Sequence, residues 1–471
     1  MHSNKAILHN LGLLTVAQGT AHLLNLVALV YLARMVGSHW FGVLQIGATL
    51  SLYAVITAEW GLFTLGIRQV SRLKTGAEIL GYARSHLGLL LGMAVPVFVI
   101  GLLLLPLFPA HREDYWILPL FLLMVFPQVF MLDWIALGLE QMGWAGTIKA
   151  VRSLFQAGLL LLLLGPIDGW LGWPAYRWVP VLFLVAYLVS NRIMAWRAGR
   201  WLGGTVLPAF PGWGEWRSRL AQATPIGASS LTARVLIGID VILLGLLIDP
   251  SSVGIYCAAA KILGVIIIGG EVLWRAILPR FSRLWAESHH LFRQKFNTYF
   301  GVFAFGILPL GAGGLVLGDR VMVDLYGPDF ATAGGVFRIL SLSYVALSLG
   351  RFLSLTLVAS DRQHAIFRPL LGSALVAVIG NLLLIPRLDM MGACWAMLAA
   401  HSLLFGWTML ICRKLFTVRL VVTVLLSVLA AGVTGVVVTL LPAWHSGTLV
   451  GIGALVYLVL GVPCLVRLRR D

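Results

Sequence analysis

Apolar residues along this chain do not recur with the period of a half-buried helix or strand. They run on, twenty or more at a time, until a short polar break. A helix needs about 20 apolar residues to cross a hydrocarbon layer of roughly 30 Å. The runs predict spanning helices near 11–36, 43–67, 85–108, 116–139, 147–168 and 178–196, then a basic connection with Gly and Pro from Arg197 to Arg219. A second set follows near 221–248, 254–274, 297–318, 332–358, 366–386 and 390–412, and two more near 418–441 and 447–466 close the chain. The fold class is therefore all-α: a polytopic membrane protein of about fourteen transmembrane helices. A barrel would show short alternating runs instead. The expected organisation is an N-terminal six-helix bundle over 1–200, a second over 201–413, and two additional helices over 414–471.

Composition narrows the class. Of 471 residues, 60% are hydrophobic and 11% charged, with a mean hydropathy of +0.94; a soluble chain of this length needs more charge to cover its core. A net charge of +16 invites a nucleic-acid reading, but the cations are not gathered in a soluble segment. Their distribution fits orientation in a bilayer. With the N-terminus in the cytoplasm, the inner segments hold 25 of the 34 Lys and Arg, and the outer ones hold five, Arg34, Arg112, Arg177, Arg320 and Arg387. That bias gives a topology with both termini cytoplasmic, and the basic surplus meets anionic lipid heads. Trp40, Trp116, Trp178, Trp196, Trp274 and Trp444 fall near expected helix ends, where amphipathic rings settle. Cys257, Cys394, Cys412 and Cys464 lie in or beside apolar helices without paired spacing, and read as small buried hydrophobes rather than disulfides or metal ligands. No cofactor and no metal is expected. The N-terminus lacks a small-residue cleavage pattern, so the first apolar stretch is expected to be a retained helix.

Two segments echo each other. Trp40-Phe41-Gly42-Val43 enters the second helix, which leaves through Val70-Ser71-Arg72-Leu73; Ser252-Val253-Gly254-Ile255 enters the eighth, which leaves through Phe281-Ser282-Arg283-Leu284. The offset of 211–212 residues matches six helices with their connections. An even number of helices per half gives two repeats in the same orientation, a design that encloses a site opened alternately to each side.

Four stretches in order carry a resemblance. They are Leu32-Ala-Arg-Met-Val-Gly37 with Phe41-Gly42; Asp240-Val-Ile-Leu-Leu-Gly245 with Ser252-Val-Gly-Ile-Tyr-Cys-Ala-Ala-Ala-Lys261; Leu325-Tyr-Gly-Pro-Asp-Phe-Ala-Thr-Ala333; and Asn381-Leu-Leu-Leu-Ile-Pro386 with Gly392-Ala393. In these the chain resembles the polysaccharide-exporter and O-antigen flippase families of the multidrug/oligosaccharidyl-lipid/polysaccharide superfamily. The resemblance implies two bundles around a central cavity in a bacterial inner membrane. It implies export of an isoprenoid-diphosphate-linked oligosaccharide from the cytoplasmic to the outer leaflet, for surface polysaccharide or O-antigen biosynthesis. The partners it implies are that lipid-linked glycan, the bilayer, a glycan polymerase and a chain-length regulator, with H+ or Na+ as coupling ion.

Ionisable groups inside spanning helices are expensive against lipid and so face a cavity or a partner. Arg234, Lys261, Arg338 and Arg351 stand inside expected helices, and Arg34 joins them through the family-like stretch. A diphosphate suits such cations, because a guanidinium holds phosphate by two parallel hydrogen bonds. Arg234, near the middle of the seventh helix, is the foremost candidate for substrate contact; the alternative is an ion pair with Asp133 or another buried acid. Arg338 and Arg351 lie about 140° apart around one helix, so at most one points squarely into a cavity. Among the acids, Asp240, Glu59 and Asp133 could couple transport to an ion or neutralise the arginines, and Glu271 reads as structural. His22 and His401 read as hydrogen-bonded helix partners, Gly88 with Gly92 and the Gly311, Gly313, Gly314 cluster as close packing, and Pro96, Pro127 and Pro225 as kinks.

Two other readings stay open. An ion-coupled multidrug exporter of the same superfamily would favour acids in its cavity. A membrane glycan polymerase or glycosyltransferase would need catalytic groups on substantial outer loops, and here Asp319, Asp324 and Asp329 form the one notable outer cluster.

Overall fold

A computed structural model describes the backbone of residues 2–108, 116–168, 172–362, 364–439 and 446–469. Side chains are described throughout except at 2–18, 20–22, 265–276, 279, 419, 423, 438, 446–447 and 460–469. The side chains of His22, Glu271, Trp274 and Cys464, and all of Arg112 and Trp444, lie outside the described residues. The elements are α1 (His2–Glu59), α2 (Leu62–Val70), α3 (Gly76–Leu104), α4 (Ile117–Leu123), α5 (Val125–Val129), α6 (Asp133–Gly138), α7 (Met142–Ile167), α8 (Val179–Leu202), α9 (Trp213–Leu247), α10 (Pro250–Glu287), α11 (His289–Tyr326), α12 (Ala333–Ala359), α13 (His364–Cys412), α14 (Val418–Thr439) and α15 (Ser446–Arg469). Among the described residues there is no strand. The protein is an all-α polytopic membrane protein.

Ten helical stretches among the described residues are long and apolar enough to span a membrane. Two of them each carry two expected segments. The run of α1 is interrupted at Gly37, whose φ of 75° and ψ of 172° leave the helical region, a conformation cheap for glycine alone. In α13 the interruption is Asp389 (φ 50°). Around it Gly372 meets Trp407, Gly380 meets Ala396, Asn381 reaches Met397, and Gly392 abuts Leu384. Each pair is centred near residue 388, so α13 is an antiparallel hairpin. The last two expected segments, 254–274 and 447–466, fall on α10 and α15.

The chain packs as two compact units, Met1–Arg234 with Asp249–Gly254, and Val235–Ile248 with Ile255–Asp471. In the first, α1 packs along α3, α4 and α7, and α8 closes against α3 and α7. One end of it is basic and tied down by the 203–212 connection. Thr75 caps α3 reciprocally with Glu78, Arg84 donates twice to the Thr205 carbonyl (3.1 and 3.0 Å), and the Ala209 amide returns a bond to the Arg84 carbonyl (2.8 Å). Gly88 and Gly92 serve this docking: a Cβ on Gly88 would sit 2.1 Å from the Ala209 oxygen, and one on Gly92 would sit 2.2 Å from the Trp216 ring. Their small size thus admits the connection and the start of α9.

The repeat glycines also meet. A Cβ on Gly42 would lie 1.8 Å from the Pro250 oxygen and 2.9 Å from the Gly254 nitrogen; one on Gly254 would lie 1.9 Å from the Ser38 oxygen and 3.0 Å from the Gly42 nitrogen. Ser38 and Pro250 differ by the same 212 residues as Gly42 and Gly254. The contact is reciprocal, as a self-complementary contact between two related segments must be.

In the second unit α11, α12 and α13 form the centre, with α14 and α15 against α11. Helices in lipid gain little from burying apolar surface and associate by close packing instead. Here that packing is aromatic, with Phe281, Phe292, Phe296, Phe300 and Phe352 all buried in one cluster, and close where Gly314 admits Ser341 and Gly311 admits Val345; Gly313 has nothing within 4 Å.

Candidate functional site

In the first unit the helix over 117–138 is broken. α5 ends at Val129 and α6 begins at Asp133, with the backbone of Phe130 and Leu132 outside the helical region. Pro127 removes a donor at this level, and its own carbonyl is taken up by the Asn191 side chain instead of a helix amide. Irregular backbone at membrane depth persists only where it is packed in protein or lines a cavity. Broken helices of this kind supply ion and substrate sites in transporters.

Polar side chains converge on the break. The Tyr187 hydroxyl donates to Gln128 Oε1 (3.3 Å), whose amide donates to Ser51 Oγ (3.1 Å). The Arg152 guanidinium stands 5.2 Å from the Tyr187 ring centre and donates to Met131 Sδ at 3.0 Å. Asp133 and Arg152 are each 8% exposed. Asp133 lies within electrostatic range of Arg152 and Lys149, and Glu59 within range of Asp133 and Arg234. Asp133 thus has two cations in range and Glu59 one.

Glu59 and Arg234 reach this neighbourhood because α1 and α9 run antiparallel. Tyr53 donates to the Arg234 carbonyl (3.1 Å) and Trp60 Nε1 to Thr224 Oγ1 (3.3 Å). Left-handed residues Trp60 and Gly61 end α1 directly after Glu59. A Cβ on Gly61 would sit 2.7 Å from the Ala223 oxygen and the Gly227 nitrogen, so glycine is what lets the two helices touch there. The Arg234 side chain is exposed, as is that of Arg34.

The second unit holds a different arrangement. Asp240 is 6% exposed; its Oδ2 accepts from the Tyr256 hydroxyl and its Oδ1 from the Val241 amide (3.0 Å), neither of them a cation. Tyr344, Cys257 and Cys394 lie in its field. His401 is fully enclosed, Nδ1 against Ser343 Oγ (2.7 Å) and Nε2 against the Leu236 carbonyl (3.0 Å). Lys261 is exposed one turn beyond Cys257. Arg338 is paired with Asp319 of α11, while Arg351 lies within range of His401 on α13, so the two arginines serve different faces of α12. Cys257, Cys394 and Cys412 are buried and free. Among the described residues no three His, Cys, Asp or Glu gather as a metal site.

The structure thus brings Arg234, Glu59 and Asp133 into one group, and it holds Asp240 apart with Tyr256. It also adds Arg152, which the distribution of charges assigns to an inner connection. The signal for it was in the sequence, since Arg152 lies five residues inside the apolar run expected at 147–168. Tyr187, Gln128 and Tyr256 carry no such signal.

A family model for polysaccharide biosynthesis proteins matches residues 7–285, more than half of the chain. The capsular polysaccharide biosynthesis protein CapF of Staphylococcus aureus is 25% identical over 175 residues, which are 36% of this chain and 43% of CapF. The match therefore spans less than half of that relative. Of solved structures, lipid II flippase MurJ in an inward closed conformation superposes with a TM-score of 0.76 at 13% identity, over 95% of this chain and 97% of MurJ. An inward-facing multidrug resistance transporter of the MATE family, in the MOP superfamily, gives 0.60 at 15% identity over 84% and 95%. At these identities the shared feature is the fold.

Proposed function

The chain belongs to the polysaccharide biosynthesis protein family, and from that membership we propose that it is a flippase. It carries an isoprenoid-diphosphate-linked oligosaccharide from the cytoplasmic to the outer leaflet of a bacterial inner membrane by alternating access. The single observation that carries this reading is the grouping of Arg234, Arg152 and Lys149 around only two acids at the broken helix. The group has an excess of one positive charge where a diphosphate has to be neutralised in a low dielectric.

Arg234 is the exposed guanidinium of the group and contacts the diphosphate, two N–H bonds to two oxygens. Arg152, buried against Tyr187 and Met131, offsets the charge of Asp133. In the first unit Arg34, and in the second Lys261, Arg338 and Arg351, are the further cations that meet the substrate, Arg338 once it leaves Asp319. Glu59, Asp133 and Asp240 are the groups through which H+ or Na+ would couple. The glycan polymerase and chain-length regulator act on the delivered product.

Ion-coupled multidrug export is the second reading, and the approach of Glu59 to Asp133 favours it, since two neighbouring carboxyls suit a cation. The three surrounding cations weigh against it. A strain carrying Arg234→Ala tests the choice. Surface polysaccharide falls at least tenfold while the protein still reaches the membrane; normal polysaccharide at normal protein level would remove Arg234 from the mechanism.

A further inference from the structure

At the end of the first unit opposite its basic connection, aromatic rings are joined ring to ring. Trp116 and Trp173 have centres 5.6 Å apart, Trp173 and Trp178 5.5 Å, with interplanar tilts of 49° and 40°. On the same stretch of chain, Tyr176 stacks face to face with Trp40 at 3.8 Å and 6°. The Arg177 guanidinium stands 5.8 Å from the Trp116 ring and 5.7 Å from the Tyr176 ring. The turn that carries Trp173 is pinned, because Asp168 accepts from the Ala175 amide at 2.9 Å. Trp173 is nevertheless 43% exposed.

We propose that Trp116, Trp173 and Trp178, with Arg177 at their edge, form a carbohydrate-binding platform for the sugars of the cargo, separate from the charges that take its diphosphate. The proposal rests on the flippase reading in one respect, that the cargo carries a glycan. A pyranose presents a face of C–H bonds, which packs on the electron-rich face of an indole, and a rim of hydroxyls, which needs polar partners. The three indoles, joined through the exposed Trp173 and inclined to one another, offer apolar ring surface for such a face. Arg177 offers N–H donors beside it.

An interfacial belt is the ordinary use of membrane tryptophans, but a belt sets single rings around the perimeter among lipid heads. It does not require three indoles joined in series through Trp173 beside a stacked Trp40–Tyr176 pair. By the distribution of Lys and Arg this end faces outward, so the platform receives sugars as they emerge and disfavours their return.

Saturation-transfer NMR on the purified full-length protein tests this directly, with lipid-free neutral and uronic-acid oligosaccharides of two to six sugars as probes. The wild type transfers saturation to sugar C–H protons. Trp173→Ala and Trp116→Ala weaken binding at least tenfold at unchanged melting temperature, and Trp173→Tyr retains it. No transfer to any oligosaccharide would overturn the platform. So would alanine variants that bind sugar like the wild type while only their quenching by brominated lipids changes, which would make the rings a lipid belt. Flipping of lipid-linked glycan by the wild type, measured in parallel, separates the two ideas: transport without sugar binding refutes the platform alone, and sugar binding without transport refutes the flippase alone.

Discussion

Replacing Tyr256 by Phe removes one hydroxyl and little else. That hydroxyl donates to Asp240 Oδ2, and the two residues are 1% and 6% exposed. The other carboxyl oxygen accepts from the amide of Val241 in its own helix. Phenylalanine therefore leaves Oδ2 among Tyr344, Cys257 and Cys394 without its donor. A buried acceptor deprived of its partner costs about 1–3 kcal/mol. The second unit has about 230 residues, and at about 2.1 cal/mol/K of unfolding entropy per residue, 2 kcal/mol lowers Tm by about 4 °C. Thermal unfolding in detergent, followed by intrinsic fluorescence, measures it. The control is Asp240→Leu, in which the hydroxyl has nothing to donate to. There Tyr256→Phe is neutral or stabilising, so the double-mutant cycle returns a coupling of about 1–3 kcal/mol. An unchanged Tm for Tyr256→Phe, or the same loss in both backgrounds, would refute the pairing.

Three further outcomes follow from particular contacts. Gly42→Ala and Gly254→Ala each force a methyl onto a backbone oxygen that cannot swing away, at a cost of about 1–3 kcal/mol; a wild-type Tm in either would contradict the reciprocal contact. Arg152→Ala removes the contacts to Met131 and Tyr187 and a cation in whose field the buried Asp133 lies, and costs about 0.5–3 kcal/mol, with Arg152→Lys recovering part of the loss; equal Tm values for Arg152→Ala and wild type would show that the packing at the break does not depend on it. Asp249 caps α10 through Ser251 and Ser252, with Pro250 at the first helical position. Partial burial pushes its carboxyl up, but the bonds from Ser252 and Ser251 outweigh that and hold it below the usual carboxylate range. Its stabilisation is therefore present above the unfolded-state pKa and is lost as pH falls through the lower folded one. Asp249→Ala costs about 1 kcal/mol at neutral pH, and the Tm gap to wild type closes with acidification; a gap constant down to the acid range would contradict the cap.

Most of the helix order was legible because the bilayer imposes one length and one polarity on every crossing. The expected helix bounds at 36 and 386 put breaks close to Gly37 and Asp389, although the apolar runs did not single out the residue that carries either. The repeat was visible as Gly42 and Gly254, but that the two touch required coordinates, since a one-dimensional match says nothing of contact. Pro127 marked a bend; that the backbone opens just before Asp133 depends on Asn191, sixty-four residues away, donating to the freed Pro127 carbonyl. Arg152 was not singled out because a count of cations by segment says nothing of which of them are buried. Its burial is set by Tyr187 on α8 and Met131 in the break before α6, which no local pattern reveals. The pairing of Asp240 with Tyr256 crosses the α9–α10 turn, where helical periodicity has no reach.

The central claim is that this chain moves a lipid-linked glycan and does not alter it. Purified protein in liposomes, given a labelled isoprenoid-diphosphate-linked oligosaccharide on one side, tests that claim most directly. The label crosses to the other leaflet with its mass unchanged, at a rate at least tenfold lower for Arg234→Ala and intermediate for Arg234→Lys. No crossing above protein-free liposomes, or a product of changed mass, would contradict it.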